Sequence, residues 1–212
     1  MKTNYSKDRA RLLESQEACD ARMAQLKSPH IVALTVFVDL LRDKKGRNYR
    51  IPYFDPADGG IAAEILFLFE APGKRAVQTG FISRNNPDES AKNFFNLNIE
   101  AGIRRKRTIS WNIVPWYIGS GKHIRAATSR DIEAGARPLA SLLELLPRLR
   151  AIVLFGRKAQ RGAPLIAKLS PSVRLFASPH PSPQYVNRAP HNRKKILSVL
   201  REALEYLDNT SR

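Results

Sequence analysis

Cysteine is almost missing from this chain: Cys19 is the one example in 212 residues. No disulfide can form within the chain, and neither a four-cysteine zinc site nor an iron–sulfur cluster can be built from it. The four histidines, at 30, 123, 180 and 191, are scattered. With a single cysteine beside them they offer no ligand set, so neither metal nor cofactor is expected. Long hydrophobic runs are missing too. The most apolar stretch, IVALTVFVDLL from Ile31, is too short to span a bilayer and contains Asp39, so no membrane partner is expected. The phosphate-cradling patterns GxGxxG and GxxxxGK[ST] do not occur, which counts against a dinucleotide or P-loop enzyme. The opening residues, MKTNYSKDRARLLESQEACD, lack the apolar h-region of a secretory signal. These absences predict a cytoplasmic, nucleoid-associated protein.

Acidic side chains are scarce as well. Lys and Arg number 36 against 19 Asp and Glu, a formal net charge of +17. The imbalance is uneven along the chain: residues 1–100 carry a net of +2 and residues 101–212 a net of +15. A surplus of this size usually faces a polyanion, and nucleic acid is the first candidate. A basic surface that faces only solvent is the plain alternative.

What is present reads as one α/β domain spanning 1–212. Its length suits a single buried core, with a helical N-terminal part over 1–50 and a core over 60–207. The N-terminal part is read as helices over 7–26 and from Ser28-Pro29 to 41, followed by a Gly/Pro-marked loop. Four short apolar runs, 64–69, 108–114, 151–155 and 173–177, are apolar on both faces, as buried strands of a parallel sheet must be. Helical stretches over 89–103, 129–146 and 157–168 separate them, and a last helix covers 190–207. Strands alternating with helices predict a three-layer α/β/α sandwich around a central four-stranded parallel sheet.

In such folds ligands bind beyond the carboxyl ends of the strands. Each run delivers a polar or glycine-marked segment there. Glu70-Ala-Pro-Gly73 follows the first, and Trp111-Asn112-Ile-Val-Pro-Trp116 closes the second. Gly156-Arg157-Lys158 follows the third, and Ser178-Pro-His180-Pro-Ser-Pro183 the fourth. The last is stiff, because Pro181 and Pro183 fix their own φ and Pro181 biases His180 toward extended backbone.

Three of these segments, FEAPG (69–73), SWNIVPW (110–116) and SPHPSPQYVNR (178–188), resemble in this order the motifs of the uracil-DNA glycosylase superfamily. The likeness covers about 60–207. It implies a monofunctional glycosylase of base excision repair, a monomer acting on DNA that contains uracil or another deaminated base. Such an enzyme must flip its nucleotide out of the stack to reach it. By resemblance Phe81 stacks on the uracil, and Asn112 reads its edge. An amide can donate to O4 and accept from N3–H, a pattern that cytosine reverses. By resemblance His180 contacts O2, where a fixed donor stabilises charge on the departing base. By resemblance Glu70 positions the attacking water or stabilises the sugar's positive charge. Ala71 stands where the strict uracil enzymes have aspartate, as it does in the GEAPG branch. That branch carries an iron–sulfur cluster, which one cysteine cannot hold, so the chain reads as an outlying, cluster-free member. Gly73 stands where the strict enzymes block thymine's methyl with tyrosine, so exclusion of thymine falls to another side chain or is incomplete.

DNA contact is expected from the stiff loop and its continuation: Ser182, Pro183, Gln184, Tyr185, Asn187 and Arg188. Part of this segment would wedge into the minor groove. Arg157 and Lys158, at a helix start, are candidate phosphate contacts. Arg104-Arg105-Lys106-Arg107 lies at the opposite edge of the sheet, as a second-rank DNA contact or a solvated turn. Each assignment has a plainer rival: core packing for Phe81, an internal hydrogen bond for Asn112, a surface strand end for Glu70, a structural connection for the proline loop. For the whole chain the rivals are another α/β phosphate-binding enzyme, a glycosylase for hypoxanthine or xanthine, and a DNA- or RNA-binding protein that has lost the reaction.

Overall fold

The computed structural model describes residues 8–46, 48–120 and 123–210, so residues 1–7 of the expected N-terminal part lie outside the described residues. In chain order the elements are α1 (Gln16–Met23), α2 (Val32–Lys45), β1 (Tyr53–Phe54), β2 (Ile65–Phe69), α3 (Lys74–Thr79), β3 (Phe81–Ile82), α4 (Glu89–Glu100) and β4 (Thr108–Asn112). They continue with β5 (Gly119–Ser120), β6 (His123–Ile124), α5 (Ser129–Ala136), α6 (Leu139–Glu144), β7 (Ala151–Phe155), α7 (Gly156–Gln160), α8 (Ala163–Leu169), β8 (Arg174–Ser178), α9 (Pro183–Val186) and α10 (Pro190–Asn209).

The four apolar runs form one sheet in the order β4-β2-β7-β8, parallel throughout. Side chains alternate between its faces, as the pleat requires. Leu66, Leu68, Ile109, Trp111, Ile152 and Leu154 enter a core with α2, α5, α6 and α8. Ile65, Phe67, Val153 and Phe155 enter a second core with Phe94 of α4 and the Ile196–Leu200–Ala203–Leu207 stripe of α10. Helices therefore cover both faces, and the architecture is the three-layer α/β/α sandwich.

Differences from the sequence expectation have local causes. The expected helix over 129–146 divides at Pro138 into α5 and α6, since proline cannot donate within a helix. The one over 157–168 divides at Gly162, with Pro164 in the first turn of α8. In the N-terminal part the first helix is shorter than expected: a 3₁₀ turn, Leu12–Glu14, precedes α1. The parallel pair β1–β3 and the short helix α3 were not foreseen.

Within the Arg104–Arg107 run, Arg104 and Lys106 are exposed, whereas Arg105 and Arg107 are held in ion pairs. Arg105 donates to Asp58 and Asp55 at 2.7 Å each and to Asp8 at 2.8 Å. Arg22 pairs with the other oxygen of Asp55. Asp55 and Asp58 are fully buried. The two arginines hold the Asp55 carboxyl below its usual range, whereas burial pushes that of Asp58 up. Arg107 binds Glu64 and Asp208. Arg105 and Arg107 thus tie the N-terminal segment and the C-terminal helix to the sheet.

Candidate active site

A cavity of about 350 Å³ opens at the carboxyl ends of β2 and β4. That is the edge where a parallel sheet leaves its strand ends free, and the volume is in the range of small-ligand sites. β4 supplies Ser110 and Asn112, two residues apart and so on one face of the strand. Phe69 of β2, Phe94 of α4 and Ile82 of β3 add apolar walls, and His180 and Pro181 come from the loop after β8.

Two of the polar groups lining the cavity are unusual in lacking partners. Ser110 is 2% exposed and Asn112 3%. Among the described residues, neither Ser110 Oγ nor Asn112 Nδ2 has a hydrogen-bond partner. Buried polar groups are nearly always paired, and an unpaired one costs about 1–3 kcal/mol. Two such groups on one strand face, both lining a cavity, are suited to a polar, flat-edged ligand. Asn86, also on the cavity, is by contrast fully engaged: it accepts from Thr79 Oγ1 at 2.7 Å and donates to the Phe81 carbonyl at 2.9 Å.

His180 stands edge-on to Phe69, with ring centroids 5.8 Å apart. Phe69 in turn stacks on Phe155 at 4.7 Å. Gly156, with φ +82°, packs against the histidine: a Cβ there would lie 3.3 Å from His180 Cβ. The glycine thus answers both a left-handed backbone and a close approach. Burial pushes the His180 pKa down to about 4. A ring held neutral in this way can donate through one nitrogen and accept through the other.

Of the residues singled out from sequence, Ala71, Gly73, Asn112 and His180 line the cavity together. Next to Gly73 the space is open, with no atom within 4 Å of where a Cβ would stand. Two of them lie outside the cavity lining. Phe81 does not line the cavity: it is fully buried against Leu13 and Cys19, and its neighbour Ile82 faces the cavity instead. Glu70 does not line it either. Its Oε1 accepts from Ala127 N at 2.6 Å, while Lys158 donates to the Ala127 carbonyl, also at 2.6 Å. Glu70 and Lys158 thereby clamp one loop residue.

The proline loop runs through Ser182 into the single turn α9, which starts at Pro183. Gln184, Asn187 and Arg188 are exposed. Tyr185 is not: it packs on the second core, and its carbonyl accepts from Asn192. Arg157 is exposed on the five-residue helix α7. Sequence reasoning missed Ser110, Asp88, Lys74 and Arg75, all lining the cavity. Ser110 carried a readable signal, a hydroxyl in an otherwise apolar strand with the spacing that shares a face with Asn112. Among the described residues no helix is long and apolar enough to cross a membrane, and no group of three or more His, Cys, Asp or Glu residues is placed to hold a metal ion.

With this geometry in view, the relatives of the chain fall on one family. The family model of the uracil DNA glycosylase superfamily matches residues 56–205. The solution structure of a candidate uracil DNA glycosylase from Methanosarcina acetivorans is similar at 17% identity, with a TM-score of 0.53, covering 73% of this chain and 97% of that one. The crystal structure of SMUG2 from Pedobacter heparinus is similar at 14% identity, with a TM-score of 0.55, covering 84% of each chain. At such identities the likeness is one of fold. No curated protein matches the chain.

Proposed function

The chain belongs to the uracil DNA glycosylase superfamily, and from that premise we propose that it hydrolyses the N-glycosidic bond of uracil flipped out of DNA and leaves an abasic site. The observation that supports this reading is the pair of unpartnered polar groups, Asn112 Nδ2 and Ser110 Oγ, in a cavity that His180 also lines. The Asn112 amide donates to uracil O4 and accepts from N3–H, and cytosine offers it the opposite pattern. Phe69 and Phe94, rather than Phe81, supply aromatic surface for the base. As the bond breaks, negative charge grows on the base. A neutral His180 N–H directed at O2 stabilises that charge, and removing one such donor typically costs 10²–10³ in rate.

The exposed residues of the loop beyond His180, Gln184, Asn187 and Arg188, form the candidate duplex contact. Ser182, Pro183 and Arg157 remain candidates beside them, and Lys74 and Arg75 add charge at the cavity. The chain acts as a monomer in this reading, in base excision repair in the cytoplasm or at the nucleoid. The open space beside Gly73 favours a second reading, a pocket that also admits a larger deaminated base such as hypoxanthine or xanthine.

The test is cleavage of an oligonucleotide carrying one uracil, single-stranded or opposite G or A, with alkali to cut abasic sites. Cutting by the wild type and not by Asn112→Asp supports the reading. No cut on any uracil substrate, with cutting on hypoxanthine, moves the function to the second.

A further inference from the structure

Hydrolysis of a glycosidic bond needs a water held and deprotonated as the sugar carbon becomes electron-poor. A carboxylate beside the cavity is the usual means. Glu70, the residue that sequence likeness assigns to this task, spends Oε1 on Ala127 N and is not among the residues lining the cavity. Among the described residues, Asp88 is the carboxylate that lines it, together with His180, Asn112 and Gly73.

We propose that Asp88, not Glu70, activates the hydrolytic water. This rests on the glycosylase reading given above. In the step, the water oxygen bonds to C1′ of the flipped nucleotide while the C1′–N1 bond breaks. The electron pair of that bond leaves with the base, whose charge His180 stabilises. The proton of the water passes to the Asp88 carboxylate and from there to solvent.

Asp88 is placed firmly for this. Pro87 fixes the backbone before it, its own N–H donates to the Asn86 carbonyl at 2.9 Å, and Asn86 is itself held at both ends of its amide. Oδ1 caps α4 by accepting from Ala91 N at 2.9 Å. Burial raises its pKa, against the opposing pull of the Ala91 and Ser90 backbone N–H groups and of Arg11 and Arg75. A carboxylate shifted in that direction is a stronger base than a solvated one.

The cap itself supplies a clean test. Asn and Ser cap a helix about as well as Asp, so Asp88→Asn and Asp88→Ser remove the carboxylate and keep the fold. Single-turnover excision of uracil from an oligonucleotide is measured for wild type, Asp88→Asn, Asp88→Ser and Glu70→Gln, with thermal midpoints and oligonucleotide affinity alongside. Expected are losses of about 10²-fold or more in both Asp88 variants, with affinity and midpoint close to wild type, and a much smaller loss in Glu70→Gln. Asp88 variants as active as wild type overturn the proposal while leaving the glycosylase reading intact. A wild-type protein that excises no uracil overturns both.

Discussion

Replacing Ser110 with alanine removes one oxygen from the base of the cavity and nothing else. Ser110 lies at the middle of β4, opposite Phe67 in the register with β2, and its hydroxyl has been taken out of water with no protein partner in exchange. Leaving such a group unsatisfied costs about 1–3 kcal/mol. Alanine gives up only the dispersion contacts of one atom, about 0.1–0.2 kcal/mol each. The variant is therefore expected to be more stable than wild type by about 1 kcal/mol. For a chain of this length that is a rise of about 2–4 °C in thermal midpoint. Urea unfolding should show a higher midpoint with an unchanged slope, since the surface exposed on unfolding is the same. On the proposed reading, uracil excision should move the other way and slow, because the hydroxyl shares a strand face with Asn112 in the cavity. Opposite signs in stability and turnover are what a binding group produces and a packing group does not. A fall in midpoint would refute the reasoning, for it would mean that the hydroxyl is already satisfied in the free protein.

His180 should titrate with a midpoint near 4 by NMR of the ring protons, and a midpoint at or above 6.5 would remove the case for a neutral donor. Because its folded pKa lies below the unfolded value of about 6.5, the unfolded chain takes up the proton first. Its contribution to stability is complete above pH 6.5 and is lost as pH falls toward 4. His180→Ala should lower excision by about 10²–10³-fold while DNA affinity holds; unchanged turnover would sink its assignment. Arg105→Met should destabilise the fold by about 3–5 kcal/mol in urea, since it strands the buried carboxylates Asp55 and Asp58. A change under about 1 kcal/mol would show that Arg22, paired with Asp55, and the buried Arg84, whose charge acts on Asp58, compensate.

The sheet was legible in the sequence because its four strands are buried on both faces, so each had to be a short unbroken apolar run between polar segments. The site was legible only as far as strand ends could be located. Beyond β2 the chain bends at Glu70 and Ala71, and Ile113 and Val114 donate to the carbonyls of Phe69 and Glu70 just past the end of the β2–β4 pairing. Phe69 and the Ala71–Gly73 segment line the cavity, and at the bend Glu70 turns to the Ala127 loop. In β3 the alternation of extended backbone gives Ile82 to the cavity and Phe81 to the Leu13–Cys19 cluster. A motif shows that a residue sits at the right strand end. Which of two neighbours enters the cavity depends on the local course of the backbone, a bend after β2 and the pleat in β3. Asp88 was hidden for another reason: Asn-Asn-Pro-Asp before a helix reads as a cap, and it is one. A local pattern that already accounts for a residue conceals any second use that only the folded chain can bring to it. His180 escaped this ambiguity because its neighbours leave it little choice. Prolines on both sides stiffen the loop, and Gly156, lacking a Cβ, lets the imidazole settle at the cavity wall.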